Sequence, residues 1–452
     1  MSLGVNNPKI DDQINHLFSE ILIAQHEFMK TRAPDPEKAE LVSKKLLEYE
    51  KIRGRGFFYP LLATGRGHGP FTELQDGSVK YDLISSIGVN LLGHSHPIFI
   101  KSCLEAATMD TLMTGNLHLY EDPIELSKEL VSSVTKSNLK HFWFAGSGSF
   151  ANDNAIKMIW QKSDGKTRIL AAQKCFAGRS IATQDITHNL DYKKGMPTLL
   201  EVDHFPISEN SNTEEQINET ISNLESIYTD QHCAITLELV QGEGGFNVYP
   251  RELYVAIFKW AKEKKLFIWI DEIQSFGRTG ELFAFQKLDL HEFPDVVTVG
   301  KALQSCGTLF SNELNPNPGL IAGTFQGSLS SIKAGRKILK YLTMGNFFGT
   351  GGRVEEIRTI FEQKMNLLNK SSQGFFNSTS GIGLMFAFQI KDGNKEDTAN
   401  FIKKLFNNGI ICFSCGKNPY KIRFLLPLCL NEEHINEIFE ILEKTFKEFT
   451  GK

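Results

Sequence analysis

The sequence lacks the features that mark membrane proteins and nucleic-acid-binding proteins. No apolar run approaches the roughly 20 residues that a membrane helix requires, and the first residues are polar, without a charged segment leading into an apolar one. The formal net charge is only -4, and no basic block interrupts the chain. Such a charge gives no field that attracts nucleic acid or an anionic membrane, so we expect small molecules as partners.

Cysteine is also scarce. The chain has seven cysteines in 452 residues, scattered in position and odd in number. This distribution predicts no disulfide framework and favours the reducing cytoplasm as the location. Cys412 and Cys415 form one Cys-x-x-Cys motif without a second pair, so we interpret them as structural residues rather than as a zinc or redox site.

The chain has instead the composition and patterning of a large α/β protein. Hydrophobic residues at 41% are enough for a sizeable core, and helical patterns alternate with short apolar strands through the middle of the chain. The alternation pauses near residues 346–352, and two predicted helices precede it at the N-terminus. We therefore predict a large domain over residues 67–343 and a small α+β domain formed by residues 1–66 and 344–452.

Two apolar stretches carry a carboxylate and an amine at their ends. Residues 266–274 read Leu-Phe-Ile-Trp-Ile-Asp-Glu-Ile-Gln, and residues 297–301 read Val-Thr-Val-Gly-Lys. Each stretch is typical of a buried strand that ends where a parallel sheet opens its crevice. We expect Asp271 and Lys301 at adjacent strand ends, which is the geometry that a covalently held, cationic heterocycle needs.

The chemistry of these side chains fits such a ligand. Burial disfavours the ammonium form of Lys301 and lowers its pKa, as a nucleophile toward an aldehyde requires. Asp271 could hold a protonated pyridine nitrogen, and Gln274 could donate to an oxygen on the ring. Asp271 could instead cap a helix or bind a metal, but no His or second Asp stands at ligand spacing beside it, and we predict no metal site.

Residues 146–149, Gly-Ser-Gly-Ser, lie between a predicted strand and a predicted helix. Free backbone N–H groups and hydroxyls at the positive end of a helix suit a phosphate. The motif is neither a Walker loop nor a Gly-x-Gly-x-x-Gly fingerprint, so it favours a small phosphate over a nucleotide. With Asp271 and Lys301 it supplies three contacts that pyridoxal 5'-phosphate needs, to phosphate, ring nitrogen and aldehyde.

With these motifs the chain resembles, from about residue 65 to 430, the class III or omega aminotransferases of the fold-type I pyridoxal-phosphate enzymes. The stretches that carry the resemblance are residues 146–155, 271–274, 277–280 and 300–303. The resemblance implies a large three-layer α/β/α domain around a mostly parallel sheet, with a smaller α+β domain. It also implies a homodimer whose active sites are shared at the interface.

The resemblance assigns the cofactor contacts residue by residue. Lys301 would bond to the cofactor aldehyde and then carry the proton between carbons, Asp271 would pair with the ring nitrogen, and Gln274 would contact the phenolic oxygen. The remaining contacts would come from Gly148 and Ser149 on the phosphate, Thr324 on the phosphate of the neighbouring subunit, and Phe176 on the ring face.

It also implies a substrate site. Arg179 matches the arginine for the distal carboxylate of an omega-amino acid, and Arg423 matches the small-domain arginine for the α-carboxylate of 2-oxoglutarate or glutamate. Glu243 matches the glutamate that masks that second arginine while the first substrate is bound, and Glu238 matches a further acid of the site. Two arginines with one movable carboxylate would let a single pocket accept both the charged and the uncharged ends of its substrates.

Three positions depart from the family pattern and bear on the substrate. Ala177 replaces a His, Phe150 replaces a Glu, and Leu239 replaces a Pro; we expect Phe150 and Ala177 to change the volume near the cofactor. Residues 301–307, Lys-Ala-Leu-Gln-Ser-Cys-Gly, are more similar to the lysine 6-aminotransferase branch than to acetylornithine enzymes.

The predicted reaction is transfer of the terminal amino group of an omega-amino acid, with L-lysine as first choice, to 2-oxoglutarate by a ping-pong mechanism. The products are a semialdehyde and glutamate. 4-Aminobutyrate, ornithine and acetylornithine are alternative donors. An aminomutase or racemase of the same family, and a catalytically silent binding protein on the same fold, are the alternative functions.

Overall fold

The computed structural model describes residues 7–109 and 119–451. The helices are α1 (Pro8–Ala24), α2 (Pro36–Arg53), α3 (Ser85–Gly88), α4 (Pro97–Ala106), α5 (Glu121–Ser133), α6 (Gly148–Gln161), α7 (Thr183–Ile186), α8 (Thr213–Ile227), α9 (Arg251–Glu263), α10 (Ala284–Lys287), α11 (Leu329–Met344), α12 (Arg353–Ser371), α13 (Lys395–Asn407) and α14 (Glu432–Thr450). Short 3-10 helices span Gln25–Phe28, Leu190–Tyr192, Lys301–Leu303 and Asn312–Leu314.

The strands form three sheets. They are β1 (Ala63–His68), β2 (Phe71–Leu74), β3 (Val79–Asp82), β4 (Leu139–Ala145), β5 (Arg168–Ala172), β6 (Val202–Phe205), β7 (His232–Leu237), β8 (Phe267–Asp271), β9 (Val296–Val299), β10 (Cys306–Ser311), β11 (Phe376–Ser380), β12 (Met385–Ile390), β13 (Ile410–Ile411), β14 (Phe413–Cys415) and β15 (Lys421–Leu425).

The central sheet has seven strands in the order β4-β10-β9-β8-β7-β5-β6. Neighbouring strands of this sheet run parallel to each other, except that β10 runs antiparallel to both of its neighbours, β4 and β9. Side chains of a strand alternate between the two faces of a sheet. In β8, Ile268 and Ile270 belong to one buried cluster and Trp269 to another, so both faces are covered and the predicted three-layer α/β fold is confirmed.

Two smaller sheets flank this core. The antiparallel sheet β11-β12-β15-β14 packs with α12, α13 and α14. The other sheet, β1-β2-β3-β13, joins residues near the N-terminus to Ile410–Ile411, which pair in parallel with Tyr81 and Asp82. The division into residues 1–66, 67–343 and 344–452 stays a proposal, and this pairing favours a first boundary later in the chain, after Asp82.

Short-range sequence features account for the positions of most helices and strands. Asp35 caps α2 by accepting hydrogen bonds from the backbone N–H groups of Glu37 and Lys38, and β2 and β3 form a hairpin around the turn at Asp76 and Gly77, residue types that favour turns. Our predictions did not include β10. β10 follows Lys301 after only a short turn and runs in the direction opposite to β9. The apolar pattern of the sequence does not reveal this reversal.

The two histidines before α4 anchor the turn that leads into it. His94 Nε2 lies 2.9 Å from Asp82 Oδ2, and His96 caps α4 by accepting from the backbone N–H of Ile98. Within residues 7–109 and 119–451, no group of three or more His, Cys, Asp or Glu side chains is placed to hold a metal ion. In the same ranges, no helix is both long and apolar enough to cross a membrane.

The buried core of the C-terminal segment gives a test of the packing. Leu405 in α13 is fully buried, whereas Leu367 in α12 is 65% exposed. We expect Leu405→Ala to lower the free energy of unfolding by about 2–5 kcal/mol, because it leaves a cavity in the core. Leu367→Ala, the matched control, should change it by less than about 0.5 kcal/mol. Equal losses in urea-unfolding midpoints for the two variants would contradict this packing.

Candidate active site

The ends of β8 and β9 meet at a cavity of about 200 Å³. Asp271 is the last residue of β8 and pairs in register with Thr298 of β9, while Lys301 opens the 3-10 helix that follows β9. The cavity is lined by Ser147, Gly148, Ser149, Asn152, Phe176, Ala177, Gly178, Glu238, Glu243, Asp271, Ile273, Gln274, Lys301 and Cys306. The carboxylate and the amine that the sequence placed at adjacent strand ends therefore face one cavity.

Asp271 is a buried carboxylate whose hydrogen-bond donors are neutral. Its side chain is 8% exposed and accepts from Asn152 Nδ2 at 2.7 Å and from the backbone N–H of Ile273 at 2.9 Å. Burial raises the pKa of Asp271 to about 6, although both hydrogen bonds and the charge of Lys301 act in the opposite direction. A cationic N–H group in the cavity would stabilise the charged carboxylate.

The surroundings of Lys301 favour its uncharged amine, which is the nucleophilic form. Burial lowers its pKa to about 8, and the positive charges of Arg423 and Arg278 lower it further, against the opposing effect of Asp271. The backbone at Lys301 is left-handed, with φ of 45°, which is uncommon for a residue with a side chain. Cys306, which our sequence predictions did not include among the site residues, lines the cavity with it.

The phosphate loop precedes α6 in the predicted position. Ser147 caps α6 by accepting from the backbone N–H of Phe150 at 3.3 Å. Gly148 leaves no room for a side chain, because a Cβ there would lie 2.6 Å from Ile273 Cδ1. Gly178 is equally constrained, since its φ is 126° and a Cβ would lie 2.3 Å from Ser149 Oγ. The loop thus presents backbone N–H groups and hydroxyls at the N-terminus of a helix, as an anion requires.

Two buried polar atoms at the cavity lack partners. Within the part of the chain that the structure describes, Gln274 Oε1 and Asn152 Oδ1 accept no hydrogen bond. Buried polar atoms are normally paired, and an unpaired one is destabilising. Gly242 packs so closely on Gln274 that a Cβ would lie 2.6 Å from its Oε1. A polar ring-shaped ligand between Asp271 and Gln274 fits this set of unpaired groups.

Glu238 links two loops beneath the cavity. One carboxylate oxygen accepts from the backbone N–H of Phe176 at 2.9 Å, and the other accepts from Gly242 at 2.9 Å. Burial raises the pKa of Glu238 to about 8, and the neighbouring charge of Asp271 raises it further. The side chain that was expected to meet substrate is therefore also the support of Phe176, the predicted stacking ring.

A buried arginine lies directly beside the cavity. Arg423 is 5% exposed, and its Nη2 lies 2.6 Å from Oε1 of Glu243, a cavity-lining residue. Its Nη1 donates to the carbonyl of Gly242 at 3.2 Å. Although burial alone would lower the pKa of Arg423, the charge of Glu243 raises it, so the guanidinium is charged. The expected pair of arginine and masking glutamate is present in contact.

Arg179 and Thr324 do not line this cavity. The Arg179 side chain is exposed, with its guanidinium carbon 4.3 Å from the centre of the Tyr192 ring. Thr324 is exposed in the segment before α11. Phe150 and Ala177, both expected to change the volume near the cofactor, differ in position: Ala177 lines the cavity, whereas Phe150 is 61% exposed and does not line the cavity of its own chain.

Two buried charged residues support the loop after β8. Glu272 is fully buried and accepts from Ser275 Oγ and from the backbone N–H groups of Ala284 and Phe285. Arg278, also fully buried, donates to the carbonyls of Gln274 and Gly88. Their hydrogen bonds fix the path of the segment that carries Asp271 and Gln274.

Comparison with known proteins agrees with this geometry. The family model for aminotransferase class-III matches residues 55–446. The chain belongs to the class III aminotransferases. An acetylornithine aminotransferase of Caldanaerobacter subterraneus subsp. tengcongensis is 29% identical over 403 residues, which cover 86% of this aminotransferase and 95% of the relative. A probable 4-aminobutyrate aminotransferase of Bacillus subtilis is 28% identical, with 84% of this chain and 91% of the relative covered.

The fold is shared with solved aminotransferases. Lysine aminotransferase of M. tuberculosis has a TM-score of 0.79 and 20% sequence identity to this aminotransferase, with 89% of this chain and 99% of the other covered. Like other class III members, the aminotransferase is an enzyme that depends on pyridoxal phosphate. The expected family, fold and cofactor are thereby confirmed.

The residues present fit this cofactor, and we propose their roles from the geometry. Asp271 would hold a proton on the ring nitrogen, Gln274 would contact the phenolic oxygen, and residues 146–149 would bind the phosphate. When bound, pyridoxal phosphate would supply an aldehyde that bonds covalently to amines and a ring that accepts electrons when a carbon loses its proton. Lys301 would hold that aldehyde through its Nζ, and as the free amine the same Nζ would carry the proton. Asn152, which our site predictions omitted, keeps Asp271 in place.

Replacement of Lys301 tests its covalent role. We expect Lys301→Ala to lower turnover by at least about 10²–10⁴-fold, since it removes the amine that carries the proton. The cofactor should stay bound without a covalent link, so that borohydride no longer fixes it to the protein. Lys370→Ala, at an exposed position at the end of α12, is the control and should behave like the wild type. Normal turnover by Lys301→Ala would contradict the assignment.

The lowered pKa of Lys301 predicts a pH dependence in the cofactor-free protein. Because a lysine pKa of about 8 means that the uncharged amine appears as pH rises through 8, the rate of cofactor attachment, trapped by borohydride, should rise there. In Arg423→Met, loss of a positive neighbour should move this midpoint to higher pH. A wild-type midpoint near the ordinary lysine value of about 10.4 would contradict the burial of this amine.

Proposed function

We propose that the enzyme moves the terminal amino group of an omega-amino acid to 2-oxoglutarate, giving a semialdehyde and glutamate in two half-reactions. The observation that carries this proposal is the contact between Arg423 and Glu243 at the edge of the cofactor cavity. An arginine that is buried, charged and covered by a removable carboxylate suits two substrates that differ in charge beside the reacting carbon.

The two substrates differ in that respect. The carbon that bears the terminal amine of an omega-amino acid has no carboxylate attached, and an uncovered buried guanidinium beside it would be an uncompensated charge. Glu243 compensates it. In glutamate the reacting carbon bears a carboxylate, which can form the bidentate pair with Arg423 once Glu243 moves away. The Glu243 side chain is 31% exposed, so it has space in which to move.

L-Lysine remains our prediction for the donor, because residues 301–307 are similar to the lysine 6-aminotransferase branch. The alternatives are ornithine, acetylornithine and 4-aminobutyrate, and the names of curated relatives support the last two. An aminomutase or racemase would leave 2-oxoglutarate unconsumed, so stoichiometric loss of 2-oxoglutarate separates those reactions from amino transfer.

We also propose a cytoplasmic homodimer. Thr324 is exposed and lies outside its own cavity, as a residue that reaches the phosphate of a neighbouring subunit would. Its neighbour Phe325 is close to the phosphate loop of the same chain, because a Cβ on Gly146 would lie 2.8 Å from the Phe325 carbonyl oxygen. All seven cysteines lie in the described ranges as free thiols, which suits a reducing compartment.

The substitution Glu243→Gln tests the proposed function. It leaves Arg423 without its counter-charge. We therefore expect the second-order rate constant of the half-reaction with omega-amines to fall about tenfold or more, which corresponds to a loss of about 1.4 kcal/mol in interaction free energy. Glutamate, which supplies its own carboxylate, should react as well as before or better. The measurement is the change in cofactor absorbance in single half-reactions with lysine, ornithine, acetylornithine, 4-aminobutyrate and glutamate.

The matched control is Glu362→Gln, which breaks an ion pair with Arg358 that also has a 2.6 Å distance but lies on α12. It should change no half-reaction. Equal effects of Glu243→Gln on omega-amines and on glutamate would contradict the exchange of carboxylates. If lysine fails in the wild type while 4-aminobutyrate reacts quickly, the lysine prediction is wrong.

A further inference from the structure

A second chamber of about 500 Å³ opens beside the cofactor cavity, and the two share Phe176 and Glu243 as lining residues. Its other walls come from the segment that includes the 3-10 helix Leu190–Tyr192 and from the segment that follows β14. A substrate that is longer than its reacting end must extend out of a 200 Å³ cavity. Because the two share a wall, this chamber is a space that adjoins the cofactor cavity.

Tyr192 lines this chamber, and both predicted carboxylate-binding arginines lie near its ring although neither of them lines the chamber. The guanidinium of Arg179 covers one face of its ring, with Cζ 4.3 Å from the ring centre. The ring of Phe176 meets it edge to face at a centroid distance of 6.3 Å. Tyr192 is also close enough to Arg423 to contribute, after Glu243 and Cys415, to the raised pKa of that guanidinium. One aromatic ring therefore adjoins the stacking residue and both arginines.

The position of Tyr192 is fixed from two sides. Asn189 caps the 3-10 helix by accepting from the backbone N–H of Asp191 at 3.2 Å. Lys417, from the segment after β14, donates to Asp191 Oδ2 at 2.5 Å and to Asn189 Oδ1 at 2.8 Å. This bridge ties the turn that carries Tyr192 to the opposite wall of the chamber. The ring is consequently a fixed support rather than a free surface side chain.

Arg179 is left available by this contact. In residues 7–109 and 119–451, no Asp or Glu carboxylate lies within ion-pair distance of its guanidinium, and among its N–H groups only the backbone N–H donates a hydrogen bond, to Ser149 Oγ. A guanidinium that lies over an aromatic face keeps the N–H donors in the guanidinium plane free for a carboxylate. We propose that Tyr192 is a positioning residue for substrate selection, because it holds Arg179 ready for the distal carboxylate of the donor.

This inference rests on the proposed function for the identity of the donor, and it deepens that function. Donors that carry a carboxylate at the end far from the reacting amine should be favoured over amines of equal length without one. The preference should depend on the ring of Tyr192 and not on its hydroxyl, since the contact with Arg179 is made through the ring face. Tyr192→Phe should therefore keep the preference that Tyr192→Leu loses.

Glutarate, a dicarboxylate without an amine, tests the idea in the intact holoenzyme without turnover. We expect its dissociation constant, measured by calorimetry, to rise about three- to tenfold in Tyr192→Leu and to stay within twofold of wild type in Tyr192→Phe. In an Arg179→Met background, Tyr192→Leu should cause no further change, because Tyr192 acts through Arg179. Tyr228→Leu is the matched control: that ring lies under Lys264 at 5.0 Å, outside both chambers, and its loss should not alter glutarate binding.

A kinetic comparison gives the second reading. In Tyr192→Leu, KM for 5-aminopentanoate should rise about three- to tenfold with kcat nearly unchanged, while kcat/KM for pentylamine should stay the same. The role of Tyr192 would be overturned if wild type and Tyr192→Leu bound glutarate equally well, or if wild type bound no glutarate. It would also be overturned if Tyr192→Leu and Tyr192→Phe lost the same glutarate affinity, or if Tyr192→Leu lowered that affinity further in the Arg179→Met background. Absence of amino transfer from every donor would instead overturn the proposed function, while the glutarate series would still decide the role of Tyr192.

Discussion

The site depends on one electrostatic constraint, the burial of the Asp271 carboxylate in a cavity that also contains the Lys301 amine. Asp271 is 8% exposed, and within the described part of the chain it accepts hydrogen bonds from two neutral donors, Asn152 Nδ2 and the backbone N–H of Ile273. Burial disfavours the charged form of both groups, which raises the pKa of the acid and lowers that of the amine. A ligand with a cationic ring nitrogen and an aldehyde satisfies both at once. The parallel pairing of β8 with β9, together with Glu272 and Arg278, holds the two groups in register for that ligand.

The two arginines proposed for charge recognition lie beside this cavity and outside its lining. Arg423 is buried and already paired with Glu243, whereas Arg179 is exposed and rests on an aromatic ring. The first arginine can bind a substrate carboxylate only after its own partner leaves, while the second can bind one directly. A single pocket can therefore treat the reacting end and the far end of a substrate differently. Phe176 and Glu243, which line both chambers, connect the two kinds of recognition.

Structural features that follow from a short stretch of sequence could be predicted. Features that depend on contacts between residues far apart in the chain could not. The nearly continuous apolar runs within residues 266–274 and 297–301 were sufficient to predict two buried strands with Asp271 and Lys301 at their ends, because strand burial and the crevice of a parallel sheet follow general rules. The reversal of β10 and the position of Tyr192 under Arg179 depend on packing between segments far apart in the chain. Asn152 had a usable signal, since it follows the phosphate loop by one helical turn. The effect of Phe150 on the volume near the cofactor stays a prediction, since this side chain is 61% exposed at the start of α6 and does not line the cavity of its own chain.

We propose that Asp271 keeps the ring nitrogen of the bound cofactor protonated. NMR of pyridoxal phosphate labelled at the ring nitrogen and bound to wild type and to Asp271→Asn, each at neutral pH, measures this protonation directly. We expect the chemical shift of a protonated nitrogen in the wild type and of an unprotonated one in the variant. The same shift in both proteins would contradict it.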